Sequence, residues 1–162
     1  MTIEITNLKF YRPLNMDEDS DNYGGEINLN SEILTDQFGN LFDNVTDQER
    51  IEGDTEYRKV FVCNHNSGVG SSWLNAKCWI FSNTLSPDDD VSIALGTVDD
   101  TKYDAKNYTY YQPDAVDHAD VLELGTLETN ETAAVWVKRV VSPASQVYWA
   151  NEFLLAFRST VA

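Results

Sequence analysis

The sequence predicts an all-β protein, an antiparallel β-sandwich of Ig-like or jelly-roll kind, and three observations predict it. Few windows place apolar residues at i, i+3, i+4 and i+7, the spacing of an amphipathic helix. Short alternating or apolar runs recur instead, bounded by Asn, Asp, Gly and Pro. Apolar residues make up 42% of the chain and aromatics 12%, enough to fill a core and to argue against disorder. The length, 162 residues, suits one domain.

Taken in order, the candidate strands are Ile3–Phe10, Glu26–Leu29, Tyr57–Asn64, Ala76–Ser82, Val91–Val98, Val121–Leu124, Ala133–Val141 and Val147–Arg158. Residues 1–16 read as an N-terminal arm carrying the first strand, and 17–162 as a single sandwich domain. Between Asp17 and Glu56 stand 13 acidic residues and one base, Arg50. That stretch reads as a long acidic excursion over the surface, with one short strand around Ile27 and an apolar anchor at Leu41-Phe42. Excursions of this length inside a compact domain usually serve binding or are partly disordered. A second acidic stretch, Asp88 to Asp120, carries Tyr103, Tyr108, Tyr110 and Tyr111, with a helical turn expected near Pro113–His118.

The run Tyr57–Asn64 and the run Ala76–Phe81 flank a Gly/Ser/Asn segment, His65–Ser72, with turn chemistry. If the two runs pair as a hairpin, Cys63 falls opposite Cys78. Two readings then stand, a cross-strand bridge or two buried free thiols. The absence of any implied oxidising compartment favours the thiols.

Charge excludes several classes of function. Eleven Lys and Arg face 27 Asp and Glu, for a net charge of −16. Such a chain cannot supply the cations that displace counterions from nucleic acid, nor does it suit an anionic membrane surface. No run approaches the ~18 apolar residues of a membrane span, and the first residues lack the basic and apolar regions of a secretory signal. The three Asn-x-Thr sequons at Asn44, Asn107 and Asn130 are then chance matches.

Catalytic motifs are missing too. His65 and His118 lie in expected loops without a neighbouring nucleophile, and neither a nucleophile elbow nor a phosphate loop occurs. Two cysteines 15 residues apart make no zinc site. Asp17–Gly24 has alternating carboxylates, but Asn22 stands where an EF-hand needs glycine and Asn28 where it needs glutamate. It reads as a solvated acidic turn, as does Asp88-Asp89-Asp90. Among the tryptophans, Trp79, Trp136 and Trp149 fall within expected strands as core, while Trp73 beside the Gly/Ser loop is the one poised for exposure. Neither a cofactor nor a metal is expected.

Several runs, taken in order, resemble a group of small structural proteins of tailed bacteriophages. They are Asn22–Ile27, Asn40–Val45, Gly53–Asn64, Ala133–Val141 and the closing strand Phe153–Arg158, with the Gly-Asp-Thr-Glu-Tyr-Arg run the most specific. One departure is Asn22-Tyr23-Gly24-Gly25, where a Ser-Leu-Gly-Gly turn is expected. The resemblance implies a non-enzymatic virion protein of β-sandwich type. Within that role we favour a capsid decoration, or cement, protein on the capsid exterior, made in the host cytoplasm and acting as a dimer or trimer. Its partner would be the major capsid protein, with Arg12, Leu14, Tyr23, Leu41, Phe42 and Trp73 as candidate contacts. Arg12 reads equally well as a strand-end arginine pairing with a neighbouring acid. A tail, neck or fibre-associated component is the first alternative, and a carbohydrate-binding module relying on Trp73 the second.

Overall fold

The structure, a computed structural model, describes residues 5–35, 37, 39–86, 88–143 and 152–160. Eight strands form two antiparallel sheets that pack face to face. The strands are β1 (Leu8–Asn15), β2 (Gly24–Glu32), β3 (Asp54–Asn64), β4 (Trp73–Ser82), β5 (Asp89–Gly96), β6 (Leu122–Leu127), β7 (Thr132–Val141) and β8 (Leu154–Thr160). One sheet has the order β2-β1-β3-β7-β5, the other β6-β4-β8. Each expected strand overlaps an observed one. Ile3, Glu4, Trp149 and the first residues of the expected last strand lie outside the described residues.

The core lies between the sheets. Val60, Val91, Ile93, Val135 and Val137 of the larger sheet meet Cys78, Ile80 and Leu122 of the smaller, with Phe10, Leu124, Leu155 and Phe157 packed alongside. Buried strand runs of branched residues fit this two-sided environment. Ring contact between Phe10 and Phe157, at 4.9 Å between centroids, joins the two sheets.

From β4 onward each strand lies in the other sheet from its predecessor, so the expected β3–β4 hairpin does not form. β3 pairs with β1 and β7, while β4 pairs with β6 and β8. The reason lies at Asn64, which ends β3 fully buried. Its side-chain amide donates to Ser71 O at 2.9 Å and Leu127 O at 2.8 Å, and its Oδ1 accepts from the Asn66 backbone and side chain. Those bonds steer the following loop away from its own strand and onto the β6–β7 end. Cys63 therefore pairs across strands with Lys9 and Thr132, and Cys78 with Leu122 and Phe157. Both thiols are free and buried, so the bridge reading is withdrawn.

Two other expectations change. From Leu8 on, the N-terminal arm is an interior strand, held between β2 and β3. The acidic excursion contains β2 and a short helix α1 (Asp47–Glu52), whose Thr46 and Glu49 make a reciprocal capping box. A second short helix α2 (Lys102–Ala105) follows β5, and the turn expected within Pro113–His118 is present, closed by the His118 amide donating to Ala115 O at 3.2 Å.

Candidate functional site

Two clusters of buried charge fasten the acidic excursions to the larger sheet. On β3, Arg58 and Val60 point to the inner face, while Lys59 and Phe61 point outward, as strand alternation requires. At the inner face Glu56 stands directly opposite Arg139 of β7. Arg139 donates to Glu56 Oε2 at 2.5 Å through Nε and to Asp43 O at 2.9 Å through Nη1. Arg58 donates to Glu56 at 3.1 Å, to Leu41 O at 3.2 Å and to Glu18. Phe42 lies under both guanidinium groups, 5.1 Å from Arg58 and 4.7 Å from Arg139. Burial raises the pKa of Glu56, against the pull of Arg139 and Arg58.

On the outer face Lys59 is wholly buried and pairs with Asp100 at 2.5 Å. Its ammonium also donates to Gly25 O and to Asp100 O, at 2.8 and 2.9 Å, and sits 4.8 Å over Phe61 and 5.6 Å over Trp136. Burial lowers the Lys59 pKa, which Asp100 partly offsets. Burial would raise Asp100, but hydrogen bonds from Lys59, the Thr97 amide and the Tyr108 hydroxyl outweigh it and leave the carboxyl below its usual range. Tyr23, Ala94, Ala105 and Trp136 pack around the pair. Gly24 approaches so closely that a Cβ there would lie 2.8 Å from Asp100 O. This contact explains the need for glycine directly after Tyr23.

These clusters redefine the candidate contacts. Tyr23 is 3% exposed and Phe42 7%, both as internal anchors of the excursions. Trp73, expected at the surface, is 3% exposed and packs with Val62, Ala76 and Leu127, because β4 begins at Trp73 and not at Ala76. Arg12 donates to backbone oxygens of Asn40 and Glu32, so it ties Asn40 to the end of β2. Leu41 is half-buried against the core, and Leu14 stays exposed. The six residues are therefore not one surface.

The expected acidic turns are also engaged internally. Within Asp17–Gly24, Glu18 meets Arg58 and Asp21 meets Lys106, whose hydrogen bond lowers the Asp21 pKa. The carboxylates of Glu49, Asp54 and Glu56 lie within 4.8 Å of one another. However, Glu56 already faces two guanidinium groups and Glu49 caps α1. His65 accepts or donates at Tyr11 Oη (2.9 Å) and Asn130 Oδ1 (3.2 Å), with Cys63 Sγ at 4.0 Å. Burial raises the Cys63 pKa, which keeps the sulfur a thiol rather than a nucleophilic thiolate.

Of the exposed apolar side chains, which are spread over the surface, Phe81 and Leu154 lie on the outer face of the β6-β4-β8 sheet. Cys78 and Ile80 point into the core, so Lys77, Trp79 and Phe81 point away from it. Ala156 pairs with Trp79, and Leu154 lies beside Phe81 at the end of β8. Trp79, read from the sequence as core, is half-buried on this outer face. The signal was the parity set by Lys77, which an uninterrupted apolar run after it conceals. Among the described residues no helix is long and apolar enough to cross a membrane.

The class defined by these features is an all-β sandwich of five and three antiparallel strands. Comparisons with protein-family models, curated proteins and solved structures return no match.

Proposed function

We propose that the chain is a non-enzymatic structural protein of a tailed-phage particle, and within it a decoration protein that clamps neighbouring major capsid subunits from outside. The observation that carries this reading is the ordered resemblance running from Asn22 to Arg158. Its runs fall on the Phe42 anchor and on four of the eight strands, β2, β3 and β7 of the larger sheet and β8 of the smaller. The placement of the polar chemistry supports the same reading. Buried ion pairs hold excursions in place, and His65, His118 and Cys63 are not arranged around a common reacting position.

The physics suits such a clamp. A head packed with nucleic acid pushes outward, and each copy bridging two subunits adds area that must be exposed before the shell opens. Many copies supply this without any single tight interface. A net charge of −16 keeps free copies apart in solution and favours a partner surface bearing cations. A tail or neck position is the runner-up. The carbohydrate reading rested on Trp73, whose burial removes its platform.

Particles stripped of this protein, incubated with the purified chain and separated on a gradient, test the proposal. Co-sedimentation together with a higher temperature of DNA release is expected. A chain that stays at the top of the gradient contradicts the decoration role.

A further inference from the structure

We propose that Lys59 and Asp100 condense in the folded chain to an amide, an intramolecular isopeptide bond that ties the middle of β3 to the excursion after β5. This goes beyond the capsid role and rests on the geometry of the pair alone.

The reacting groups are held in contact in a dry site. Lys59 Nζ lies 2.5 Å from Asp100 Oδ1, with the lysine side chain wholly buried and that of Asp100 4% exposed. The contact is short but poorly angled for a hydrogen bond, and Oδ1 receives no other donor. The directed bonds of the nitrogen go to Gly25 O and Asp100 O instead. Nζ thus rests against the carboxyl group off the line of a donated bond, where an attacking nitrogen belongs. Two groups fixed in this way react as if at very high concentration.

The second carboxylate oxygen has what acyl transfer needs. Oδ2 accepts from the Thr97 amide at 2.9 Å and from the Tyr108 hydroxyl at 2.7 Å. Two fixed donors on one oxygen make an oxyanion hole, which stabilises the charge that oxygen gains when Cγ becomes tetrahedral.

The step balances without any further reactant. One proton passes from the ammonium to Oδ1, leaving a neutral amine beside a neutral carboxyl. The Nζ lone pair attacks Cγ, and negative charge collects on Oδ2 between its donors. A second nitrogen proton then passes to Oδ1, the Cγ–Oδ1 bond breaks and water leaves. Ammonium and carboxylate become amide and water, and the remaining N–H keeps Gly25 O or Asp100 O as acceptor. Burial lowers the Lys59 pKa and so favours the free amine. Asp100 stays mostly ionised, which keeps the neutral pair a minor form and the reaction slow. The freshly folded chain therefore holds the pair as ions, and the amide accumulates afterwards. Once formed, it closes a loop between positions 41 apart, which unfolding or traction can no longer open.

Intact-mass spectrometry of the full chain tests this, starting from protein purified throughout in guanidinium chloride and then refolded. The refolded chain should become lighter by the mass of one water, and its digest should contain a branched peptide joining Lys59 to Asp100. The sample left unfolded should keep its mass. Tyr108→Phe, whose fold circular dichroism checks, removes one oxyanion donor and should slow the conversion about 100-fold. A refolded wild type that keeps its full mass on prolonged ageing overturns the proposal. Loss of water without the Lys59–Asp100 branch, as in a succinimide at an aspartate, overturns it too. Conversion of Tyr108→Phe at the wild-type rate overturns the role of the donors on Oδ2.

Discussion

The ammonium of Lys59 lies 2.5 Å from the carboxylate of Asp100, with the Lys59 side chain wholly buried and that of Asp100 nearly so. The pair joins the middle strand of the larger sheet to the tyrosine-bearing excursion after β5, and two backbone carbonyls complete the ammonium's coordination. Burying such a pair costs much of what the attraction returns, whereas breaking it leaves an unpaired charge in a dry site.

Asp100→Asn should therefore destabilise the chain by about 3–5 kcal/mol. The double variant Lys59→Met with Asp100→Asn, which removes both charges, should recover part of that loss. Urea unfolding of the three proteins checks this. Equal stability of Asp100→Asn and wild type would contradict the buried pairing.

The same pair predicts an acid limb. Because the folded state holds the Asp100 carboxyl below 3.8, its contribution is present above that value and is lost as pH falls through the lower folded value. Relief of the repulsion among 27 acids opposes this at milder acidity. Stability should hold or rise from pH 7 toward pH 5 and then fall below the carboxylate range. In Asp100→Asn the low-pH fall should be shallower, read from midpoint denaturant concentrations across pH.

Cys63 and Cys78 face different parts of the interior, and burial raises both thiol pKa values. In the folded chain a thiol reagent should label neither cysteine at neutral pH, and both should react on unfolding. Mobility should not change with reductant. Rapid labelling of Cys63 in the native state would show that the Tyr11–His65 cover over it opens.

Asn64 connects the end of β3 to the loops that begin β4 and end β6. Asn64→Ala removes the buried bonds to Ser71 O, Leu127 O and the Asn66 amide. At roughly 1–3 kcal/mol for each unsatisfied group, a loss of about 3 kcal/mol or more is expected. Trp73→Ala should cost a similar amount, about 3–5 kcal/mol, because a large cavity opens between the sheets. Thermal denaturation measures both.

The strands were legible because their side chains decide them locally. Tyr57–Asn64 is read correctly from its β-branched and aromatic residues, and Ala133–Val141 likewise. Topology was not legible. The β3–β4 hairpin looks favourable from its turn residues, and only the tertiary partners of Asn64 show that β4 crosses over. Long-range pairing of this kind leaves no local trace. The capping box Thr46-Asp47-Gln48-Glu49 was a readable signal for α1 inside a stretch whose acidity suggested loop. Phe42 and Tyr23 were recognised as anchors or contacts, but their burial depends on Arg58, Arg139 and Trp136, distant in the chain. Lys59 shows the same limit from the other side, since a lysine in a strand reads as exposed until its buried acid is known.

The central claim is that this chain is a clamp on a capsid shell, and its copy number in purified particles tests that most directly. On the proposed phage origin, quantitative mass spectrometry of the virions should find the chain in fixed proportion to the major capsid protein. Cryo-electron microscopy should place matching density on the outer shell. A handful of copies at one vertex or along the tail, or none in the particle, would contradict the account.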